Sequence, residues 1–326
     1  MKKIICILLC LVMLLALASC GDKSQPDDIP TTQRPAPESP TTETLPTEAP
    51  TTEPEPEWIT FPEDRELTAK QYFVYDCETA TFLTISGKQD EKIYPASITK
   101  LFTAYVALQY LKADTTITVK NELDLVHAGS SVAELKKGDE LTVRLLIEAM
   151  MLPSGNDAAY VLAVAAGRVI AGNSATPQKA ADAFVKAMNA QAVALGMGNT
   201  HFANPDGIHK DDHYSTFADL ALMGTLVQED PVLMTYVATT QDTITLASGE
   251  KQWKNTNELI HPESQYYCPY AIGLKTGQTP SAGSCLLSAF EYKGRTLVVG
   301  VFGCPDIEAR FADTLQLFND TIGYTG

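Results

Sequence analysis

Residues 94–108 read YPASITKLFTAYVAL. Apolar residues recur at helical spacing through Ile98, Leu101, Phe102, Tyr105 and Leu108, which predicts a buried core helix. The same segment carries Ser97 and, one turn on, Lys100. Residues three apart share a helix face, so an amine falls over a hydroxyl where water is scarce. Pro95 followed by Ser97 also fits ordinary helix-start chemistry, with the serine as N-cap, and Lys100 can reach the surface along its methylenes. A Ser-x-x-Lys spacing arises about once by chance in a chain of this length. A second one, Ser248 to Lys251, lies in the polar, glycine-bearing turn ASGEK. The rest of the chain has to decide between cap and nucleophile.

Upstream, residues 1–20 have two lysines, a long apolar run and a small-residue end. That is the pattern of a secretory signal rather than a membrane-spanning helix. Leu17-Ala18-Ser19-Cys20 resembles the bacterial lipobox, which implies an acylated Cys20 at the mature N-terminus and attachment to the cell membrane from outside. Residues 21–57 are rich in Thr, Pro and Glu and poor in apolar residues, as in PTTETLPTEAPTTEPEPE. Such a stretch buries too little surface to offset its chain entropy and is expected to be a disordered tether. In extended form it would reach on the order of 110 Å. It holds nine acidic and two basic residues, so it supplies 7 of the 16 net negative charges. The remaining domain, 58–326, is moderately acidic and has no nucleic-acid footprint.

That domain is long enough for one large core. QYFVYD and ATFLTIS read as strands near its start, and AIGLKT, SCLLSAFEY and TLVVGVFG near its end. Between them SITKLFTAYVALQYL, LTVRLLIEAMML, NDAAYVLAVAAG and PQKAADAFVKAMNAQAVALG have helical spacing, and DIEARFADTLQLFNDTIG closes the chain as a helix. The fold expected is of the α/β (α+β) class: an antiparallel sheet built from both chain ends, flanked by helices, with an inserted all-helical lobe and a ligand cleft between. Cys77, Cys268, Cys285 and Cys304 remain after the signal. Export permits disulfides, but a two-residue turn at Lys293-Gly294 sets Cys285 and Cys304 out of register, and free thiols are expected.

Two further motifs follow in order: Ser154-Gly155-Asn156 between two helices, and Lys275-Thr276-Gly277 at the end of a strand. Singly, Ser154 or Asn156 reads as a helix cap and Lys275 as a solvated strand residue. Together with Ser97-x-x-Lys100 they resemble the motif set of penicillin-binding proteins and class A β-lactamases, with Ser-Gly-Asn in place of Ser-Asp-Asn. The chain resembles the serine-type D-alanyl-D-alanine carboxypeptidases, the low-molecular-mass penicillin-binding proteins, across nearly all of residues 65–322. YPASITKLFTA, GDELTVRLLIEAMMLPSGNDAA, ANPDGIHKDDHYST, WKNTNEL and IGLKTGQTPSAGSCL carry that resemblance. It implies a β-lactamase/transpeptidase-like fold and a hydrolase that trims peptidoglycan stem peptides and is acylated by β-lactam antibiotics.

The chemistry is consistent with this. A serine hydroxyl needs a base, and a desolvated lysine near other cations is neutral often enough to serve. The resemblance implies Ser97 as acyl-ester nucleophile, Lys100 as general base, Ser154 as proton relay and Asn156 as the orienting amide. Lys275, Thr276 and Gly277 bind substrate, and the backbone N–H groups of Ser97 and Gln278 form the oxyanion hole. No cofactor or metal is called for. Gln278 departs from the histidine, tyrosine or serine expected there, which puts side-chain specificity in doubt. The extra β-rich domain and C-terminal anchor of many relatives are not expected.

Competing functions are a D,D-endopeptidase, a β-lactamase and a non-catalytic wall-binding module. A β-lactamase needs a deacylating glutamate, and no Glu-x-x-x-Asn segment lies between Asn156 and Lys275. A zinc peptidase would draw on His209, Asp211, Asp212 and His213, spaced as a ligand pair. Because NPDG precedes them and a third ligand is not evident, a structural loop is the expected reading.

Overall fold

Strand β1 (Gln71–Asp76) alternates its side chains between two apolar layers, Phe73 to one and Val74 to the other. The structure, a computed structural model, describes residues 66–323. The expected signal segment with Cys20, and the tether at 21–57, lie outside those residues. β1 pairs antiparallel with β2 (Thr81–Ile85) on one side. On the other it pairs with β11 (Arg295–Cys304), Gln71 opposite Phe302. β10 (Gly283–Tyr292) and β9 (Ala271–Thr279) complete a five-stranded sheet in the order β2-β1-β11-β10-β9. The sheet is built from both chain ends, as its terminal apolar runs require.

Between these ends the chain makes β3 (Lys92–Ile93), a 3-10 turn at Ala96–Ile98 and α1 (Thr99–Tyr110). Then come β4 (Thr116–Thr118), β5 (Glu140–Thr142), α2 (Val143–Met151), α3 (Asn156–Ala171) and α4 (Pro177–Ala194). β6 (Ser215–Thr216), α5 (Phe217–Gln228), α6 (Pro231–Ala238) and the hairpin β7 (Gln241–Leu246) and β8 (Gly249–Lys254) lead back to the sheet. Helix starts other than those of α1 and α3 follow capping chemistry. Thr142 Oγ1 accepts from Leu145 N at 3.3 Å, and Thr176 Oγ1 accepts from Lys179 N at 3.3 Å just before Pro177.

α7 (Ile307–Ile322) covers one face of the sheet, where Phe311, Leu317 and Phe318 meet Val74, Leu286, Val299 and Val301. The other face, with Phe73, Leu287, Ala289, Val298 and Phe302, joins the core of the helical lobe. A sheet covered on both sides explains why β10 and β11 read as nearly continuous apolar runs. The hairpin register is that of a two-residue turn from Tyr292 opposite Arg295 through Leu286 opposite Val301. A bulge then sets Cys304 opposite Ser284 rather than Cys285. The four cysteines among the described residues are free thiols.

Candidate active site

The stretch at Ser97 departs from the simple helix expected. Ser97 is the middle residue of the 3-10 turn, and no side chain caps either that turn or α1. The N-cap role is therefore not what Ser97 performs. Ala96 before it has φ +48°, a left-handed conformation disfavoured for a residue with a Cβ. Lys100 is fully buried. Its Nζ meets Ser97 Oγ at 2.7 Å, the backbone oxygen of Asp206 at 2.9 Å and Ser154 Oγ at 3.4 Å. Burial pushes the Lys100 amine down to about 8, against the upward pull of Asp206 and Asp157.

Ser154 lies in the turn between α2 and α3, at φ +60°. α3 has Gly155 as N-cap and no side-chain cap, so neither Ser154 nor Asn156 is spent on capping. The turn is held by the neighbouring loop: Ser131 Oγ donates to Ser154 O at 2.8 Å, and Asn156 N donates to Ser131 O at 2.9 Å. Asp157 then accepts from Ala133 N at 2.8 Å and Leu135 N at 3.0 Å. The side-chain oxygen of Asn156 is buried and has no hydrogen-bond partner.

Lys275 is 1% exposed, not the solvated strand residue of the simpler reading. Its Nζ donates to Thr276 O at 3.2 Å and Thr276 Oγ1 at 3.4 Å. Burial first, then the charges of Lys100 and Arg310, push its amine well below the ordinary lysine range. Leu274, just before it, has φ +79° beside a bulge in the β9–β10 ladder. Thr256 ties β9 to the Ser154 turn, its Oγ1 2.6 Å from Thr276 Oγ1 and its N–H 3.2 Å from Leu152 O. Gly277 lets β9 approach the Ser97 turn: a Cβ there would lie 2.8 Å from Pro95 O and 3.2 Å from Ser97 N. All three motifs thus have a non-glycine residue with positive φ within or directly before them, backbone strain of the kind that gathers at functional sites.

These elements enclose a cavity of about 530 Å³ lined by Ser97, Ser154, Asn156, Thr276, Gln278 and Arg310, among others. Arg310, on α7, is the residue that motif reading misses. It is 6% exposed, its Nη1 lies 3.5 Å from Gly277 O, its Nε has no partner, and burial lowers its guanidinium to about 10. Its sequence signal is faint: a cation in the opening turn of a helix, where the dipole favours an anion. The charged or ionisable residues lining the cavity are His127 and Arg310, with no Asp or Glu among them. A cavity so lined, with the Arg310 guanidinium at its wall, is complementary to an anionic group.

The look-alikes resolve differently. Ser248 Oγ donates to Asp139 at 2.7 Å, while Lys251 pairs with Glu134 at 3.7 Å. Hydroxyl and amine of this second Ser-x-x-Lys are bound to separate carboxylates. In the 209–213 loop, both ring nitrogens of His213 are engaged, Nδ1 accepting from Ala203 N at 3.1 Å and Nε2 lying 2.8 Å from Thr99 Oγ1. Burial pushes that imidazole down to about 3. His209 faces Asp211 and the ring edge of Tyr94. Among the described residues no group of three His, Cys, Asp or Glu is placed to hold a metal.

The family model described as D-alanyl-D-alanine carboxypeptidase matches residues 58–306. A D-alanyl-D-alanine carboxypeptidase of a Streptomyces species is 36% identical over 256 residues, 75% of this chain and 84% of that one. DacA of Escherichia coli is 32% identical over 77% of this chain, which spans only 60% of DacA. Among solved structures, a Streptomyces DD-transpeptidase superposes with a TM-score of 0.71 at 32% identity, covering 79% of this chain and 98% of that one. DacD of Francisella tularensis superposes with a TM-score of 0.68 at 25% identity, over 79% of this chain and 71% of its own.

Proposed function

The chain belongs to the D-alanyl-D-alanine carboxypeptidase family, and from that premise we propose that it removes the terminal D-alanine of peptidoglycan stem pentapeptides through an acyl-ester on Ser97. The observation that carries this reading is the buried Lys100 amine in contact with both Ser97 and Ser154 at the edge of a cationic cleft. Neutral Lys100 takes the Ser97 proton as Oγ attacks the penultimate carbonyl. Ser154 passes a proton to the departing D-alanine amine as the C–N bond breaks. The N–H groups of Ser97 and Gln278 hold the oxyanion. Lys275, Thr276 and Arg310 receive the terminal carboxylate, and the unpartnered Asn156 oxygen accepts the substrate amide N–H. Water then attacks the ester and frees Ser97. With Lys100 losing its proton near pH 8, acylation rises as pH increases through that value.

A β-lactam enters the same chemistry, but its leaving amine stays tethered to the acyl group. The absence of Glu from the cavity lining among the described residues favours peptidase over β-lactamase. Mass spectrometry tests the reading in two arms. Penicillin is expected to leave a covalent adduct on the Ser97 peptide, and a pentapeptide ending in D-Ala-D-Ala is expected to lose one alanine. An adduct elsewhere, or an untouched pentapeptide, overturns it.

We further propose that a lipid on Cys20 holds the domain outside the cell membrane on its Thr/Pro/Glu tether. What supports this is Leu17-Ala18-Ser19-Cys20 at the end of a signal-like segment. Among the described residues no helix is long and apolar enough to cross a membrane. Two or more acyl chains give stable anchoring where one is marginal. Cys20→Ala is expected to release the protein or leave it as precursor, while a chain starting near Trp58 retains turnover on a soluble pentapeptide. Cys20→Ala protein that stays membrane-bound after signal cleavage would rule the lipid out.

A further inference from the structure

The loop Asn204–Ile208 crosses directly over the Ser97 turn. Asn204 Oδ1 accepts from Gly207 N at 2.8 Å, and its Nδ2 donates to Ile208 O at 2.6 Å. This closed loop presents the Asp206 carbonyl to Lys100 Nζ. The Asp206 side chain goes down with it: the residue is 1% exposed, Oδ1 accepts from Ile208 N at 3.2 Å, and Oδ2 is buried with no partner. A buried carboxylate oxygen without a hydrogen bond is costly. The Ile208 bond is an Asx turn that asparagine would make equally well, so the turn alone does not require an acid there. Its electrostatic neighbours are Lys100, His127 and the Tyr160 hydroxyl. Of these only Lys100 is a buried amine in a catalytic motif.

We propose that Asp206 is a positioning residue for the Ser97–Lys100 chemistry, its carbonyl fixing the Lys100 amine in place and its buried carboxylate setting the pH at which that amine becomes a base. The inference rests on the acyl-transfer reading above. Lys100 is surrounded by opposing charges: Asp206 from the loop and Asp157 from the start of α3 favour its protonated form, while Lys275 on β9 is a like charge. The Asp157 oxygens are committed to backbone N–H groups of residues 133, 135 and 158. The bare oxygen of Asp206 has no such commitment: burial raises its carboxyl, and the Lys100 charge beside it pulls it back down, so the ionised acid depends on the same amine that its backbone carbonyl contacts. The carboxylate holds the proton on Lys100 between turnovers, when the serine would otherwise stay activated, and the cost is a slower reaction below neutral pH.

The test is the pH profile of acylation by a fluorescent penicillin, followed by stopped flow from pH 5 to 10 on the full folded domain. Asp206→Asn keeps the size, the carbonyl and, through its amide oxygen, the Ile208 contact; it removes the charge and puts an amide NH2 where the unpartnered oxygen lies. The acid limb is expected to move about one unit toward lower pH, as loss of one close opposite charge implies, making the variant faster than the parent near pH 6. Asp206→Ser, smaller and also uncharged, is expected to move the limb the same way even if its plateau falls. A purely structural role lowers the plateau and leaves the midpoint where it was, and that result in both variants overturns the proposal. A parent protein that fails to acylate at any pH would instead overturn the functional reading itself.

Discussion

Ser97→Ala is expected to abolish both the penicillin adduct and pentapeptide turnover, a loss of several orders of magnitude, whereas Ser248→Ala leaves both close to the parent. The two serines have the same spacing to a lysine, so only their surroundings distinguish them. Ser97 has a buried amine at 2.7 Å and opens onto the cavity. Ser248 is bound to Asp139, which also accepts from Ser248 N at 3.0 Å and Lys136 N at 2.8 Å. Losing the hydroxyl of Ser248 removes one charge-assisted bond, worth about 1.5–3 kcal/mol, and shows as a lower Tm rather than a slower reaction. Equal loss of acylation from both substitutions would refute the assignment of the nucleophile.

The second large effect is expected at Gly207, which touches no substrate atom in the mechanism above. A Cβ there would lie 1.9 Å from Ala96 O and 2.4 Å from Ala96 C, both backbone atoms with no freedom to rotate away. Its φ of +86° adds the left-handed penalty. Gly207→Ala must therefore lift the 204–208 loop off the Ser97 turn, at a cost of about 2–4 kcal/mol from overpacking and backbone strain together. The same movement takes the Asp206 carbonyl away from Lys100. A displacement of about 1 Å in such a site costs on the order of 10²-fold in rate. Thermal unfolding and acylation rate are expected to fall together in Gly207→Ala, and a variant with the parent's Tm and rate would show that the close approach is not obligatory.

Much of this architecture was legible in the sequence because it rests on periodicity. The helices from Thr99 to Ala194 repeat apolar residues every three to four positions, and the runs at 284–292 and 296–303 have apolar residues on both faces, as a sheet covered on both sides demands. The motifs were legible because their chemistry needs particular side chains in a particular order. What escaped was decided by backbone and by long-range packing. Ala96, Ser154 and Leu274 adopt positive φ without being glycine, and composition does not reveal such strain. The β7–β8 hairpin was visible only as the turn at Ser248, because most of its residues face solvent and Leu246 and Trp253 are its main buried anchors. Arg310 is read as one residue on an amphipathic helix until α7 docks on the sheet and brings it beneath Gly277.

The pairing of β1 with β11 also governs when this molecule can exist during its own synthesis. β1 is among the first segments of the folded part to leave the ribosome, and one of its two neighbours is separated from it by more than two hundred residues. Until residues 295–304 emerge, the growing chain carries an apolar strand with an open edge, and β9 has no finished sheet to hold its Gly277 against the Ser97 turn. Such high contact order makes folding slow and leaves the nascent chain exposed to mispairing. It also means that the Ser97 turn and the Lys275–Gly277 strand come together only when the strand order closes, so a polypeptide stalled or clipped before residue 295 contains all three motifs and not the cavity they border.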